Sequence, residues 1–322
     1  MNYVRPIGLY HEIGSFDVKF GGTQTLLLNR ENEVQLYKLR LEITHTNAAT
    51  VSLTVTDLHR LITELRITAG GRNNIKMVGA LKFYLNYLKN YGITPKYSID
   101  TTVSTAGLKS YVIIEVPMNM FDMKRPYDSI FPTYKFQNLE LKVTFGSATS
   151  IGTGVTITSG TITVFEDGIE NYARQEGYGF FKEIYSSNKI SSNNPKYELK
   201  LPTELLYKQF TFASIVDDAL SDGIINGVTI RSGSKIIKQY SLYEIKEQMR
   251  RRFGQASEAL MTGFLIIDFG ERGHGTEFVD TRQNEGGFLQ LSAELDVTAV
   301  GTDNQVIMYT DYYEELPLAP KA

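Results

Sequence analysis

Three consecutive arginines, Arg250, Arg251 and Arg252, form the sharpest concentration of charge in the chain. Guanidinium groups in a row suit contact with anionic lipid, nucleic acid or an acidic neighbouring subunit. They equally suit the C-terminal turn of a helix, where cations complement the carbonyl end and stay solvated. A second stretch, "MNMFDMKRPYD" at 118–128, sets Met118, Met120, Phe121 and Met123 beside a basic turn. Thioethers adapt to irregular surfaces, so these residues suit either a subunit contact or a loop tucked onto the fold. The seven residues are candidate lattice or membrane contacts.

Catalytic constellations are sparse. The histidines are His11, His45, His59 and His274, and the closest pair is 14 positions apart. That spacing lacks the His-x-His of a metal-binding cupin and favours isolated surface or core imidazoles. No G-x-S-x-G, P-loop or dinucleotide fingerprint occurs. Carboxylates abound, but nothing in the spacing sets two across a cleft, and "GTDNQ" at 301–305 reads as a turn rather than a calcium loop. With no cysteine, disulfides, thiolate chemistry and Cys-based zinc sites are excluded. The expectation is a protein with no catalytic, cofactor or metal site.

Composition agrees with an ordinary folded, soluble protein. Hydrophobic residues make up 42%, charged residues 21%, and the formal balance is −3. These values give enough apolar surface for a core and no overall electrostatic reason to coat nucleic acid. The opening "MNYVRPIGLYHEIGS" carries no apolar run of signal-peptide length, and no later stretch approaches a membrane span. Synthesis and folding in the cytoplasm are expected.

The elements that would position these residues are mostly strands. Phe16/Val18/Phe20, Leu39/Leu41/Ile43 and Leu139/Leu141/Val143/Phe145 alternate with polar residues, which buries one side of each strand. "VIIEV" and "FLIIDF" are continuous apolar runs, as in strands buried on both faces. The exception precedes Gly92 and Gly254. Met77, Leu81, Leu85 and Leu88 recur at helical spacing in the first case, Leu242, Ile245 and Met249 in the second. Ser241 and Glu244 there predict a capping box, and Gly254 a helix stop.

The strands come in two sets with matching order. "FDVKF" (16–20) matches "YELKL" (197–201), "LYKLRLEIT" (36–44) matches "LYKQFTFAS" (206–214), and "ITELRITAGG" (62–71) matches "INGVTIRSGS" (225–234). The helical segments ending "NYG" and "RFG" follow, then "VIIEV" with "LIIDF", "LELKVT" with "AELDVT", and "ITVFED" with "IMYTDY". Seven matches in one order predict an internal duplication with shorter loops in the second copy. The expected class is all-β: two tandem eight-stranded jelly rolls, each with one helix in a long connection. The expected divisions are 1–169, an aromatic-rich connector at 170–196, and 197–322. The Thr/Ser/Gly-rich stretch 146–161 is expected to be an exposed loop or hairpin, and both chain ends look like arms.

This duplicated pattern resembles the double jelly-roll major capsid proteins of tailless icosahedral viruses with an internal membrane. Among these it looks most like the corticovirus and Flavobacterium lipid-containing phage type of the PRD1-adenovirus lineage. The resemblance rests on the paired segments quoted above and runs from about Phe16 to Tyr312. It implies a non-enzymatic homotrimer whose six barrels mimic a hexamer and tile a shell, with loops outward and the lower end over the membrane. It further implies penton and minor capsid proteins as partners, no cofactor, no specific nucleic acid, and a place in the virion after synthesis in the host cytoplasm. Two rivals stay open: a two-jelly-roll glycan-binding or glycan-processing protein, and a bicupin metalloenzyme. The absence of Trp for sugar stacking counts against the first, and the scattered histidines against the second.

Overall fold

A computed structural model of the 322-residue chain describes residues 7–50, 52–53, 55–77, 81, 97–119, 129–148, 154–170, 179–254, 261–270, 278–282 and 290–315. Two compact units emerge: 1–181 with 315–322, and 182–314.

In unit 1 the strands are β1 (Ile7–Asp17), β2 (Thr23–Leu27), β3 (Glu33–Asn47), β4 (Ile62–Ala69), β5 (Arg72–Met77), β6 (Tyr97–Ser98), β7 (Leu108–Pro117), β8 (Phe131–Pro132), β9 (Leu139–Phe145) and β10 (Val155–Glu170). A short helix, α1 (Val55–Arg60), precedes β4. One sheet runs β1-β10-β3-β7-β6 with β8 on the edge of β3, and the other runs β5-β4-β9-β2. Disregarding the two-residue β6 and β8, the first sheet takes strands one, eight, three and six, and the second takes two, seven, four and five. That interleaving defines an eight-stranded jelly roll.

Unit 2 repeats it. Its strands are β11 (Gly179–Lys189, from Lys182 onward), β12 (Asn194–Lys200), β13 (Leu206–Val216), β14 (Ala219–Leu220), β15 (Ile225–Ser232), β16 (Lys235–Ser241), β17 (Phe264–Asp268), β18 (Val279–Asp280), β19 (Leu291–Val297) and β20 (Asn304–Glu315). One sheet sets β20 between β11 and β13, with β14, β17 and β18 along the far edge of β13. The other runs β12-β19-β15-β16. Without β14 and β18, the order is again one, eight, three, six and two, seven, four, five.

Alternation explains the cores. In unit 1 Leu39, Leu41, Leu65, Ile67, Val112, Ile114, Leu141, Val143, Ile162 and Val164 are all buried, and each fully buried aliphatic contributes about 1.5–3 kcal/mol. The β4–β5 turn uses Gly70 and Gly71 at φ 57° and 79°, the paired positive angles that a tight hairpin matching the strand twist demands. "VIIEV" alternates, with Ile113 and Glu115 partly exposed, whereas all five residues of β17 are buried. Only the second apolar run is thus covered on both faces.

Registers correct four of the sequence matches. "FDVKF" closes β1 and enters the following turn, while "YELKL" lies largely in β12 of the other sheet type. The counterpart of β12 is β2, and the counterpart of β1 is β11, which falls inside the expected connector 170–196. A half-buried strand of either sheet writes the same aromatic-acid-aliphatic-Lys grammar, so composition alone misaligned them. Pairing with β4 and β15 sets Val143 opposite Leu65 and Leu295 opposite Val228, so "LELKVT" is two residues out of step with "AELDVT". A bulge between Tyr207 and Gln209 makes Phe212, not the letter match Thr211, the counterpart of Leu41; Leu41 pairs with Ile162 and Phe212 with Met308. The letter match to Ile307 is one residue off, onto the opposite face. Of the stretch 146–161 expected as a loop or hairpin, Val155–Thr161 forms the start of β10.

The helix of unit 2, α2 (Leu242–Phe253), has both ends as its residues dictate. Ser241 Oγ accepts from the Glu244 N–H at 3.3 Å, and Glu244 Oε2 accepts from the Ser241 N–H at 2.7 Å. Gly254 closes it at φ 82°, donating its N–H to Arg250 O. Ile245, Met249 and Phe253 are the buried stripe, with Leu242 only half-buried. Of the expected first-unit helix, Met77 instead closes β5, and the stretch beyond Leu81 lies outside the described residues.

Replacing Ser241 by Ala removes one half of the capping box and is expected to cost about 1 kcal/mol. Leu141→Ala opens a cavity between the unit 1 sheets and is expected to cost about 3 kcal/mol. Urea unfolding midpoints check both.

Candidate functional site

The arginine run divides at the end of α2. Arg250 Nε and Arg251 Nε each donate to Glu247 at 3.0 Å, one and the next residue along the same helical face. Their hydrogen bonds, Arg250's first, hold the Glu247 carboxyl below its ordinary range. Arg251 is the outermost, its side chain 76% exposed, so its pair contributes little to stability. Beside it, a cleft of about 460 Å³ is lined by Asp222, Tyr243, Lys246, Glu247, Arg250, Met261 and Thr262.

Arg252 turns inward. It bonds the Asp268 carboxylate, which also receives Lys208 Nζ at 3.2 Å and the Gly270 N–H at 2.7 Å. Lys238 Nζ donates to the Asp268 carbonyl at 2.6 Å. Asp268 is only 4% exposed. Burial pushes its pKa up, but Arg252 and Lys208 outweigh that and hold it below the usual carboxylate range. This cluster ties α2 to β13, β16 and β17, so Arg252 has a structural employment while Arg250 and Arg251 face outward.

The methionine stretch is placed only at its start. Met118 is fully enclosed, its N–H donating to Gln35 O at 2.8 Å, so it belongs to the core of unit 1 rather than to an exposed contact. Met120, Phe121 and Met123 lie outside the described residues.

His45 is enclosed at the end of β3, with Nδ1 on Asn47 Oδ1 at 3.1 Å and Nε2 on Ser110 Oγ at 2.8 Å. Burial lowers its pKa, against the Asn47 hydrogen bond and the Asp100 charge. Asn47 donates onward to the Asp100 and Thr102 carbonyls, so this imidazole pins a loop to the barrel end. His11 faces Asn29 at 3.5 Å, and His274 lies outside the described residues. Among the described residues no three His, Asp or Glu side chains gather as a metal site.

Two features escaped sequence reading. One is the Asp268 cluster, whose only hint is an acid ending the apolar run "LIIDF" and a Lys inside "LYKQFTF". The other is the outer face of the β1-β10-β3-β7 sheet. There Tyr10 stacks on Phe165 with ring centres 5.7 Å apart, Lys38 Nζ lies 5.1 Å over the Tyr10 ring, and Arg40 lies 4.9 Å over Tyr111. With Ile113 they line a cleft of about 300 Å³. Period-two alternation in "LYKLRLEIT" already placed Lys38 and Arg40 on one face, away from Leu39 and Leu41.

Asp268→Asn leaves Lys208 and Arg252 near a neutral amide, and is expected to destabilise unit 2 by about 3 kcal/mol. Because the folded carboxyl titrates lower than the unfolded one (about 3.9), its contribution is present above that pH and lost as the pH falls through the folded value. Acid titrations of melting temperature are expected to show this loss in the parent and not in D268N. Arg251→Ala is expected to change stability by less than about 0.5 kcal/mol.

No family model and no curated protein matches the chain. Solved structures do. The MCP of STIV, Sulfolobus Turreted Icosahedral Virus, matches with TM-score 0.74 and 14% identity over 95% of this chain and 96% of that one. The capsid model of PBCV-1 matches with TM-score 0.66 and 11% identity over 99% and 96%. The major capsid protein P2 of bacteriophage PM2 matches with TM-score 0.61 and 11% identity over 96% and 98%. The matches run the whole length of both chains, and the chain has the tandem double jelly-roll fold of these viral capsid proteins.

Proposed function

We propose that the chain is a major capsid protein, a structural subunit whose work is self-association rather than catalysis. The observation that carries this reading is the duplicated jelly roll: two units of one strand order in one chain, over the full length of the capsid proteins it resembles. A fold alone hosts many functions, but duplication has a specific geometric use here. Three copies of a two-barrel chain present six similar barrels, so a three-fold object fills a six-fold lattice site.

In this reading the homotrimer is a pseudo-hexameric capsomer of an icosahedral virion, made in the host cytoplasm and laid over an internal membrane. Penton and minor capsid proteins complete the shell. The outward Arg250 and Arg251 are lattice or membrane contacts, and Met120, Phe121 and Met123 keep that assignment as a proposal. The division of labour within the arginine run supports it: Arg252 stabilises the fold, while the other two are directed to solvent around Glu247.

Light scattering on the purified chain tests the reading. A species of three times the 36.3 kDa chain mass at micromolar concentration is the expected result, and a single-chain species at every concentration contradicts it.

A further inference from the structure

Asn47 is a knot at one end of the unit 1 barrel. Its backbone carbonyl accepts from the Ser104 N–H at 3.0 Å. Its side-chain amide donates to the Asp100 and Thr102 carbonyls at 3.2 and 3.1 Å, which leaves Oδ1 as the acceptor. Oδ1 takes the Leu53 N–H at 3.4 Å and faces His45 Nδ1 at 3.1 Å. The amide therefore fixes the imidazole: Nδ1 carries the hydrogen and Nε2 is bare. Ser110 Oγ donates to Nε2 at 2.8 Å and accepts from the Asp100 N–H at 2.9 Å. Both nitrogens of this enclosed ring are satisfied only while the ring is neutral.

A proton on Nε2 breaks this pattern. Nε2 then donates to Ser110 Oγ, whose own hydrogen loses its acceptor, and a charge is left in an enclosed site. The charged group facing the ring is Asp100. Its carboxylate is already tied to the Thr102 N–H and hydroxyl, at 3.0 and 2.7 Å. On the neighbouring strands His45 stands between Ile157 of β10 and Leu108 of β7. Lys109 alternates to the other side of β7, and on α1, which packs beside β7, Asp57 and Arg60 bridge each other at 3.9 Å. Burial outweighs the Asn47 bond and the Asp100 charge and holds the imidazole below its ordinary range. The loop above it is held against its own preference. Ser104 sits at φ 56°, in the left-handed region that an L-residue enters at a cost. Residues 101–107 are all exposed, so the bonds to Asn47 and Ser110, rather than apolar burial, retain them.

We propose that His45 is an acid-operated latch: proton uptake at Nε2 displaces the Ser110 hydroxyl, and the loop at 99–107 lifts from the barrel end. Lifting the loop admits water to the imidazolium, the hydroxyl and the freed Asp100 N–H at once, which is the cheapest relief of the three. Because the folded imidazole titrates below the unfolded one (about 6.5), the anchorage is complete above that pH and is lost as the pH falls through the folded value. The exposed segment thereby becomes a surface whose order depends on acidity, whether or not the chain assembles.

Two measurements on the full chain test it. The chain has four histidines, so nuclear magnetic resonance with histidine-selective isotope labelling resolves each ring. His45 is expected to carry its hydrogen on Nδ1 at neutral pH and to titrate below about 6.5. Hydrogen exchange by mass spectrometry, corrected for intrinsic rates, is expected to show protection at 99–107 falling about tenfold or more through the His45 midpoint, while β9 keeps its own. His45→Gln takes no proton in this range and is expected to abolish that pH dependence. Ser110→Ala is expected to show the loss already at neutral pH, and it shifts the His45 signal, which identifies that signal should H45Q fold poorly. Loop protection that is unchanged through the His45 midpoint, or that H45Q loses on the same acid curve, overturns the latch. So does a His45 ring that carries its hydrogen on Nε2 at neutral pH.

Discussion

Burial of one face of each sheet against its partner sheet is the constraint on which everything else here depends. In both units strands of period two are clamped by Leu, Ile, Val and Phe pointing inward, at about 25 cal/mol for each Å² of apolar surface removed from water. Because the side-chain period is two, fixing the inner residues also fixes which residues look outward. Lys38 and Arg40 are outward because Leu39 and Leu41 are inward, and Glu198 is outward because Leu199 is not. The outward surfaces are thereby inherited from the cores.

Duplication then supplies two copies of one scaffold on which surfaces diverge. The strand order is unchanged between units, while connections and faces are not. In unit 2 an ion cluster on Asp268 ties the helix to its sheets, so the basic end of α2 is partly consumed by folding. Removing one partner from such a buried cluster leaves the others uncompensated, which makes it a point of rigidity rather than a contact surface. Arg250 and Arg251 lie outside that cluster, paired with Glu247 on the exposed side of α2.

Much of this was legible in the residues. The duplication, the all-β class and both ends of α2 follow from alternation and from Ser241, Glu244 and Gly254, because these signals are local. What failed was long-range or degenerate. β11 was hidden in the connector because its first five residues are all buried and show no alternation. "FDVKF" and "YELKL" look alike because strands of either sheet use the same residues, and only hydrogen-bond register tells them apart. A bulge between Tyr207 and Gln209 shifts one copy by a residue, which no letter match detects. Met118, taken as a contact candidate from composition, proves to be core because a thioether serves both. Asp268 meets Lys208 and Arg252 only once three elements are folded together.

The account's central claim is that this chain is a shell subunit whose two barrels repeat around a three-fold axis. Electron cryomicroscopy of the purified protein, averaged without imposed symmetry, tests it most directly. The account predicts a three-fold particle with six barrel-sized densities, alternating between two kinds. Particles with two such densities and no higher order would contradict it.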